Sequence, residues 1–463
     1  MPTPDRPVRP HQGRRPAEPG LARRSLLASA AALPLLGAAT RPAVAAPTPT
    51  VMPRSTTRAA FDALDQRFHG GNGVADATNE QGLYSWQQSK VLQAYLFMYR
   101  AHRDLYYLDK FVRQADTVLA NRDSDRGVTD HRGKSLPAWR NRIVTIDPAN
   151  LSMHIGVDIG NITQPMTGFA RLVDNTAALR RMPKYRAAAE RYHEAAGAAV
   201  AVVADDFDRS DAVYRFAKGG PYQVDGIEYP ANMNHAIGHT LIDLQVLAWR
   251  RRVGTPHSNT LERLFNRWEQ DWTQLSDTSL VWTHHHVGSW PYRGWGPGDG
   301  VSENRPSFAP GTRVADTGHG SMDVGFAEAA FHSGLISATR LRQMARTLTR
   351  HVITTVDGRP TAHRLIDGHK ADTGQAKQEV HTGGWLPLAP WAQDSMVTKV
   401  APLLDQNLDA TGGTLPVLMA SVAMLNFTIR SGGRAVSAYD DSPPRRDPGP
   451  GQPHVQGRPA VLN

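Results

Sequence analysis

Cysteine is absent from the 463 residues. That excludes a disulfide framework, a thiolate metal site and a cysteine nucleophile together. No His-Glu-x-x-His motif occurs, which removes a common helical zinc site. Long apolar runs are missing too. The run from Leu26 to Ala39 falls short of the roughly 20 residues that a bilayer span requires. Nor does any stretch alternate apolar and polar residues as a half-buried strand would. What remains is a helical chain that must be held by its own core, and a chain of this length can bury one easily.

The amino terminus has the order of an export signal. Arg23-Arg24 precedes Ser25, the apolar run comes next, and Ala43-Val44-Ala45-Ala46 has the small-residue form of a cleavage site. Residues 1–45 therefore read as a twin-arginine signal peptide and 46–55 as a short linker. Residues 56–430 form one catalytic domain. Residues 431–463, rich in Gly, Pro, Ser, Arg and Asp, read as a disordered tail. The expected location is extracellular, by the twin-arginine route, with no membrane span in the mature protein.

The chain carries 52 Lys and Arg against 43 Asp and Glu, but the first 45 residues hold seven of the arginines and only two acids. The mature chain is mildly basic. It lacks the concentrated basic stripe of a nucleic-acid binder and is compatible with an anionic polymer bound in one cleft. A monomer is expected.

A tight turn followed by an outer amphipathic helix recurs every ~75–80 residues. The helices open at Leu105, Pro183, Pro256 and Ile336, each with charge along one side. A more apolar helix precedes each turn, over roughly 84–101, 160–180, 234–251 and 320–334. Segments 384–407 and 414–430 add a further pair. Buried helix, turn, outer helix and long loop, repeated, is the plan of an all-α fold, an α/α toroid of about six or seven helical hairpins. The inner helices of such a barrel run parallel. Their amino termini, and the long loops 122–150, 208–233, 277–318 and 353–383 that precede them, share one face. An α-solenoid that only binds proteins is the competing architecture.

Unusual polar residues gather at these helix starts: Trp86-Gln87-Gln88, Asp158 with Asn161, Asn232 to His235, Asp316 to Gly320, and His381 to Trp385. Singly, each reads as an ordinary cap or structural residue. Together they line a cleft with Asn, His and Trp. The longest loop adds His284-His285-His286 and Trp290-Pro291-Tyr292-Arg293. Three adjacent histidines cannot all point one way, so they make a weak zinc site. No metal and no cofactor is expected.

These groups suit β-elimination on a uronic-acid polymer. The carboxylate must be neutralised, a base must take the carbon-5 proton, and an acid must protonate the leaving oxygen. Asn, Arg and a helix amino terminus serve the first need, His and Tyr the others. Asn234-His235 at an inner-helix start, with Tyr292 on a later loop, resembles the arrangement in α/α-barrel polysaccharide lyases, the alginate and glucuronan lyases among them. The resemblance implies Asn234 as neutraliser, His235 as base or neutraliser, Tyr292 as acid or acid/base and Arg293 as carboxylate partner. His319 is a further catalytic candidate. Trp86, Gln87, Trp290 and His285 join Arg293 as substrate-binding candidates.

Three other functions fit the same plan. A glycoside hydrolase, including an unsaturated-uronyl hydrolase, needs two suitably spaced carboxylates, from Asp158, Asp299, Glu303, Asp316 and Asp323. A sugar epimerase also abstracts a proton with histidines, although export counts against it. A non-catalytic glycan-binding protein would use the same aromatics.

Overall fold

The computed structural model describes residues 53–254, 256–369, 375–393, 395–432 and 434. The segment expected to be an export signal and nearly all of the expected tail lie outside them.

Short capped turns fix where the helices begin. Helix α1 spans Arg58–Arg67. The first hairpin joins α2 (Ser89–His102), entered through a π-turn at Tyr84–Gln88, to α3 (Leu105–Ala120), which the Asp104 carboxylate caps at Tyr106 N. The second joins α4 (Gly156–Asn175) to α5 (Pro183–Ala201), where Pro183 occupies the first turn. The third joins α6 (Ala231–Arg250) to α7 (Ser258–Glu269). The fourth joins α8 (Thr317–His332) to α9 (Ala338–Arg346), capped by Ser337. A short helix, Gln375–His381, leads into a 3-10 run over Thr382–Trp391. Then α10 (Met396–Asp405) and α11 (Thr414–Arg430) complete the chain. Three small antiparallel hairpins decorate the loops: β1 (Phe207–Asp208) with β2 (Val213–Tyr214), β3 (Trp272–Gln274) with β4 (Leu280–Trp282), and β5 (Ile353–Val356) with β6 (Arg359–Ala362).

Two sequence expectations shift. The expected helix over 384–407 is divided, because Pro387 and Pro390 remove two backbone donors. The linker read to 55 ends sooner. Ser55 is buried, donates its N–H to Asp405 Oδ1 at 2.8 Å and its hydroxyl to Ala401 O at 3.1 Å.

Amphipathic spacing explains the outer layer. In α7, Leu261, Leu264, Phe265 and Trp268 form one buried stripe. The inner layer is apolar nearly all round, and in α4 every residue from Gly156 to Val173 is buried. Six inner elements close a ring: α2, α4, α6, α8, the 3-10 run and α11, which returns to α2. Phe97 of α2 stacks on Phe427 of α11 at that closure, with centroids 6.1 Å apart. Neighbouring inner helices run parallel at the α4–α6 and α6–α8 seams, where contact partners rise together. Between α4 and α6 they run Gly160–Ala236, Thr163–Thr240 and Thr167–Asp243. Between α6 and α8 they run His235–Asp323 and Gly238–Phe326. A β-carbon at Gly160 would lie 2.4 Å from the Ala236 carbonyl carbon, so the α4–α6 approach needs glycine there. The seam also buries an ion pair, Arg171 Nη1 to Asp243 Oδ1 at 2.5 Å.

The long loops therefore meet above the inner-helix amino termini, and they lace together there. Thr145 bridges Tyr222, Asn304 donates to the Gly220 and Tyr222 carbonyls, and Ala231 N donates to His284 O. In the loop before α4, His154 is buried between Asp123 Oδ2, 3.0 Å from its Nε2, and Asp130 Oδ2, 3.7 Å from its Nδ1. Burial alone favours the neutral ring, but the two carboxylates outweigh it and hold the imidazole above its ordinary value. The stabilisation is fully present below the unfolded pKa of about 6.5 and is lost as pH rises through the higher folded value. The stability gap between wild type and His154→Gln in urea unfolding should therefore shrink as pH rises from about 6.5 into the alkaline range. A gap that stays constant over that range rules out a charged clamp.

Candidate functional site

The ring encloses a cavity of about 900 Å³ that runs down the barrel axis, from Trp86 and His319 at the helix starts to Phe97 and Phe427 near the helix ends. Among the described residues its walls carry five Lys or Arg side chains (Lys90, Arg313, Arg364, Lys377 and Arg434) against two acids, Asp316 and Glu328. Both acids are already engaged. Glu328 Oε1 lies 2.9 Å from His332 Nε2, and Asp316 Oδ2 lies 2.6 Å from His319 Nδ1. The described walls thus carry an excess of positive side chains, which favours an anion over a cation.

The sharpest feature of the mouth is the Asp316–His319 pair. Asp316 caps α8, accepting His319 N at its Oδ1 (3.0 Å) while its Oδ2 accepts the ring Nδ1–H. Backbone and side chain of one histidine are therefore held by one carboxylate, which fixes the ring and leaves Nε2 as the free nitrogen. Burial opposes ionisation of Asp316, but the His319 hydrogen bonds overcome it and hold the carboxyl well below its usual range. The His319 side chain keeps 36% of its accessible surface, enough to meet a ligand. Gly318 and Gly320 leave room on either side. A β-carbon at Gly318 would stand 3.3 Å from the His381 ring, and one at Gly320 would stand 2.7 Å from Trp385.

Neutral imidazoles surround this pair. Burial lowers His381 to about 4, and burial with the nearby Arg313 charge lowers His285 to about 4. His284, whose ring centroid is 4.9 Å from that of His319, is pushed by burial and by His319 to about 2. Arg313 and Arg364 flank the mouth, with Arg313 Nη1 3.9 Å from Asp316 Oδ2. Among the described residues no group of three or more His, Cys, Asp or Glu is placed to hold a metal ion. No described helix is long and apolar enough to cross a membrane.

Several sequence candidates lie elsewhere. Asn234 is fully buried and every polar atom is spent. Its Oδ1 accepts Tyr214 N at 2.8 Å, and its Nδ2 faces Tyr229 O, Pro230 O and His286 Nε2 within 3.2 Å. It ties the loops to α6 and has nothing left for a carboxylate. His235 edges the cavity but is 1% exposed. Its Nδ1 lies 2.6 Å from Asp323 Oδ1, its ring stacks on Phe326, and its Nε2 is buried without a partner. Tyr292 sits in the short turn Trp290–Arg293 and is not on the cavity wall. Trp290 and Arg293 line a separate depression of about 570 Å³, where the guanidinium covers the indole at 4.3 Å. His285 packs on His284 and Phe308 behind the wall, and Gln87 is half-buried off it. Of the residues given catalytic or substrate-binding roles from the sequence, Trp86, His235 and His319 reach the cavity, and of the other polar residues at the helix starts Asn161, Asp316 and His381 join them. Tyr292→Phe is accordingly expected to leave turnover of any substrate bound there within twofold or so, since only a group in contact with the reacting atoms changes the barrier. A tenfold loss would return Tyr292 to the site.

The hydrolase carboxylates fare similarly. Asp158 is wholly buried under Asn79 and Asn141, both donating to Oδ2 at 2.7 Å. Asp323 is taken by His235 and Trp282. Asp299 and Glu303 are exposed on the 297–303 loop. Only Asp316 lines the lumen. Sequence reading missed Arg313, Arg364 and Lys90 as wall residues. Arg313 had a usable signal, standing three residues before Asp316; the other two carry none.

No family model matches the chain, and no curated protein matches it. Among solved structures, a glycosyl hydrolase family 88 protein from Bacteroides vulgatus is similar at 10% identity, covering 79% of this chain and 98% of that one, with a TM-score of 0.34.

Proposed function

We propose that the chain is an exported polysaccharide lyase that cleaves a uronic-acid polymer by β-elimination, with His319 as the base. One observation carries the reading: a carboxylate-held histidine with a free Nε2 stands about one-third exposed on the wall of a lumen that Arg313 and Arg364 also line. The arginines suit the uronate carboxylate, whose charge must be offset before carbon-5 becomes acidic. Nε2 then takes the carbon-5 proton. The carbon-4 to oxygen bond breaks with its electron pair leaving on oxygen, and a carbon-4 to carbon-5 double bond forms. The imidazolium, stabilised by Asp316, returns the proton to that oxygen. Atoms and charge balance without an oxidant. No tyrosine lines the lumen among the described residues, so one histidine serves as base and then as acid.

Hydrolysis on the same barrel is the second reading. It is weakened because both carboxyls on the described walls, Asp316 and Glu328, are already paired with histidines. The deciding experiment presents alginate, glucuronan and hyaluronan to the purified protein. Ultraviolet absorbance of an unsaturated uronate appears only by elimination. New reducing ends without that absorbance would replace this reading with hydrolysis.

A further inference from the structure

Below the mouth, the lumen holds a cation without a counter-charge. Lys90, in the first turn of α2, lines the cavity and is half-buried. No described carboxylate bonds to it, and burial alone draws its ammonium down to about 8. The two side chains that feel its charge, His239 and His381, are both shifted toward the neutral ring by burial. The acids within reach are taken, Glu328 by His332 and Asp316 by His319. From α4, Asn161 reaches the same wall, and it is 6% exposed with an Nδ2 that has no hydrogen-bond partner. Gln93, three residues beyond Lys90, is bonded to Gln164. At this level, among the described residues, the Lys90 ammonium and the Asn161 Nδ2 are donors with no carboxylate bonded to them. A buried ammonium and a buried amide left so are costly, and a bound anion with several acceptor oxygens satisfies both. Lys90, Asn161 and His319 all line the one cavity.

We propose that Lys90 and Asn161 form a second carboxylate subsite inside the lumen, for a uronate other than the one presented to His319. The substrate would then carry acidic groups on sugars close together along the chain, as a homopolyuronate does. This rests on the uronate reading of the cavity, but not on elimination as the reaction.

The test is calorimetric titration of the full chain carrying His319→Ala, so that nothing turns over. The probes are glucuronate and mannuronate tetrasaccharides and their carboxyl-reduced neutral counterparts. Adding Lys90→Met should weaken binding of the better acidic probe by about tenfold or more while leaving its neutral counterpart unchanged. Lys90→Arg should recover most of the loss. Equal weakening of acidic and neutral probes would mean a packing role and overturn the subsite. So would unchanged acidic binding, or no binding of either acidic probe to the parent. Lys90-dependent binding in a protein whose wild type yields no unsaturated product would remove elimination and leave the subsite standing.

Discussion

Replacing His319 with alanine should lower the rate of unsaturated-product formation by about 10²–10⁴-fold, the range that a positioned general base contributes. Folding should be little affected, because the side chain is more than one-third exposed and the Asp316 cap on the α8 backbone survives the change. Asp316→Asn is the sharper variant. An amide oxygen can still accept His319 N, so the cap remains. Its other atom is a donor, which cannot accept the ring Nδ1–H. The imidazole would then favour the tautomer with its proton on Nε2, the wrong nitrogen for a base. Both variants should show wild-type far-ultraviolet circular dichroism with reduced turnover, and His319→Ala should be the lower of the two. A His319→Ala protein within tenfold of wild type would remove the base assignment.

Asp323→Ala should cost about 2–6 kcal/mol of stability, since each of two buried donors left without an acceptor costs about 1–3 kcal/mol. The carboxylate joins two elements at 1% exposure, taking His235 Nδ1 at Oδ1 and Trp282 Nε1 at Oδ2, 2.7 Å away. Deletion leaves both ring nitrogens without an acceptor in a dry site walled by Trp268 and Phe326. Asp323→Asn keeps one acceptor and should lose less. Urea unfolding followed by tryptophan fluorescence measures both. A loss under about 1 kcal/mol for the alanine variant would show that the pair is dispensable to the fold.

Histidines that look alike in the sequence thus part company in the structure. His235 and His319 both lie near the start of an inner helix, and both are held at Nδ1 by an aspartate. The His319 pair is the more legible, because cap, carboxylate and ring sit within Asp316-Thr317-Gly318-His319. Asn234-His235 reads as a catalytic dipeptide only while its partners are unknown, and they lie far along the chain. Tyr214 is 20 residues away, His286 is 52 away and Asp323 is 88 away. Tyr292 departs from its expected place for a related reason. Loop composition marks an aromatic surface, but the path of the 277–318 loop decides which wall that surface joins, and it joins the outer depression.

The sequence alone determined the helices and their order, because apolar spacing, Asp and Ser caps and prolines act over one or two turns. Hence the outer helices start within two residues of the expected Leu105, Pro183, Pro256 and Ile336. It also determined that polar groups would collect at one end of the barrel. Only the tertiary structure decided which of those groups are free. A buried polar atom must find a partner, and closing a ring brings together partners that are distant in sequence. Asn234 and Asp158 were consumed by that closure, whereas His319, Arg313 and Lys90 were left facing the lumen.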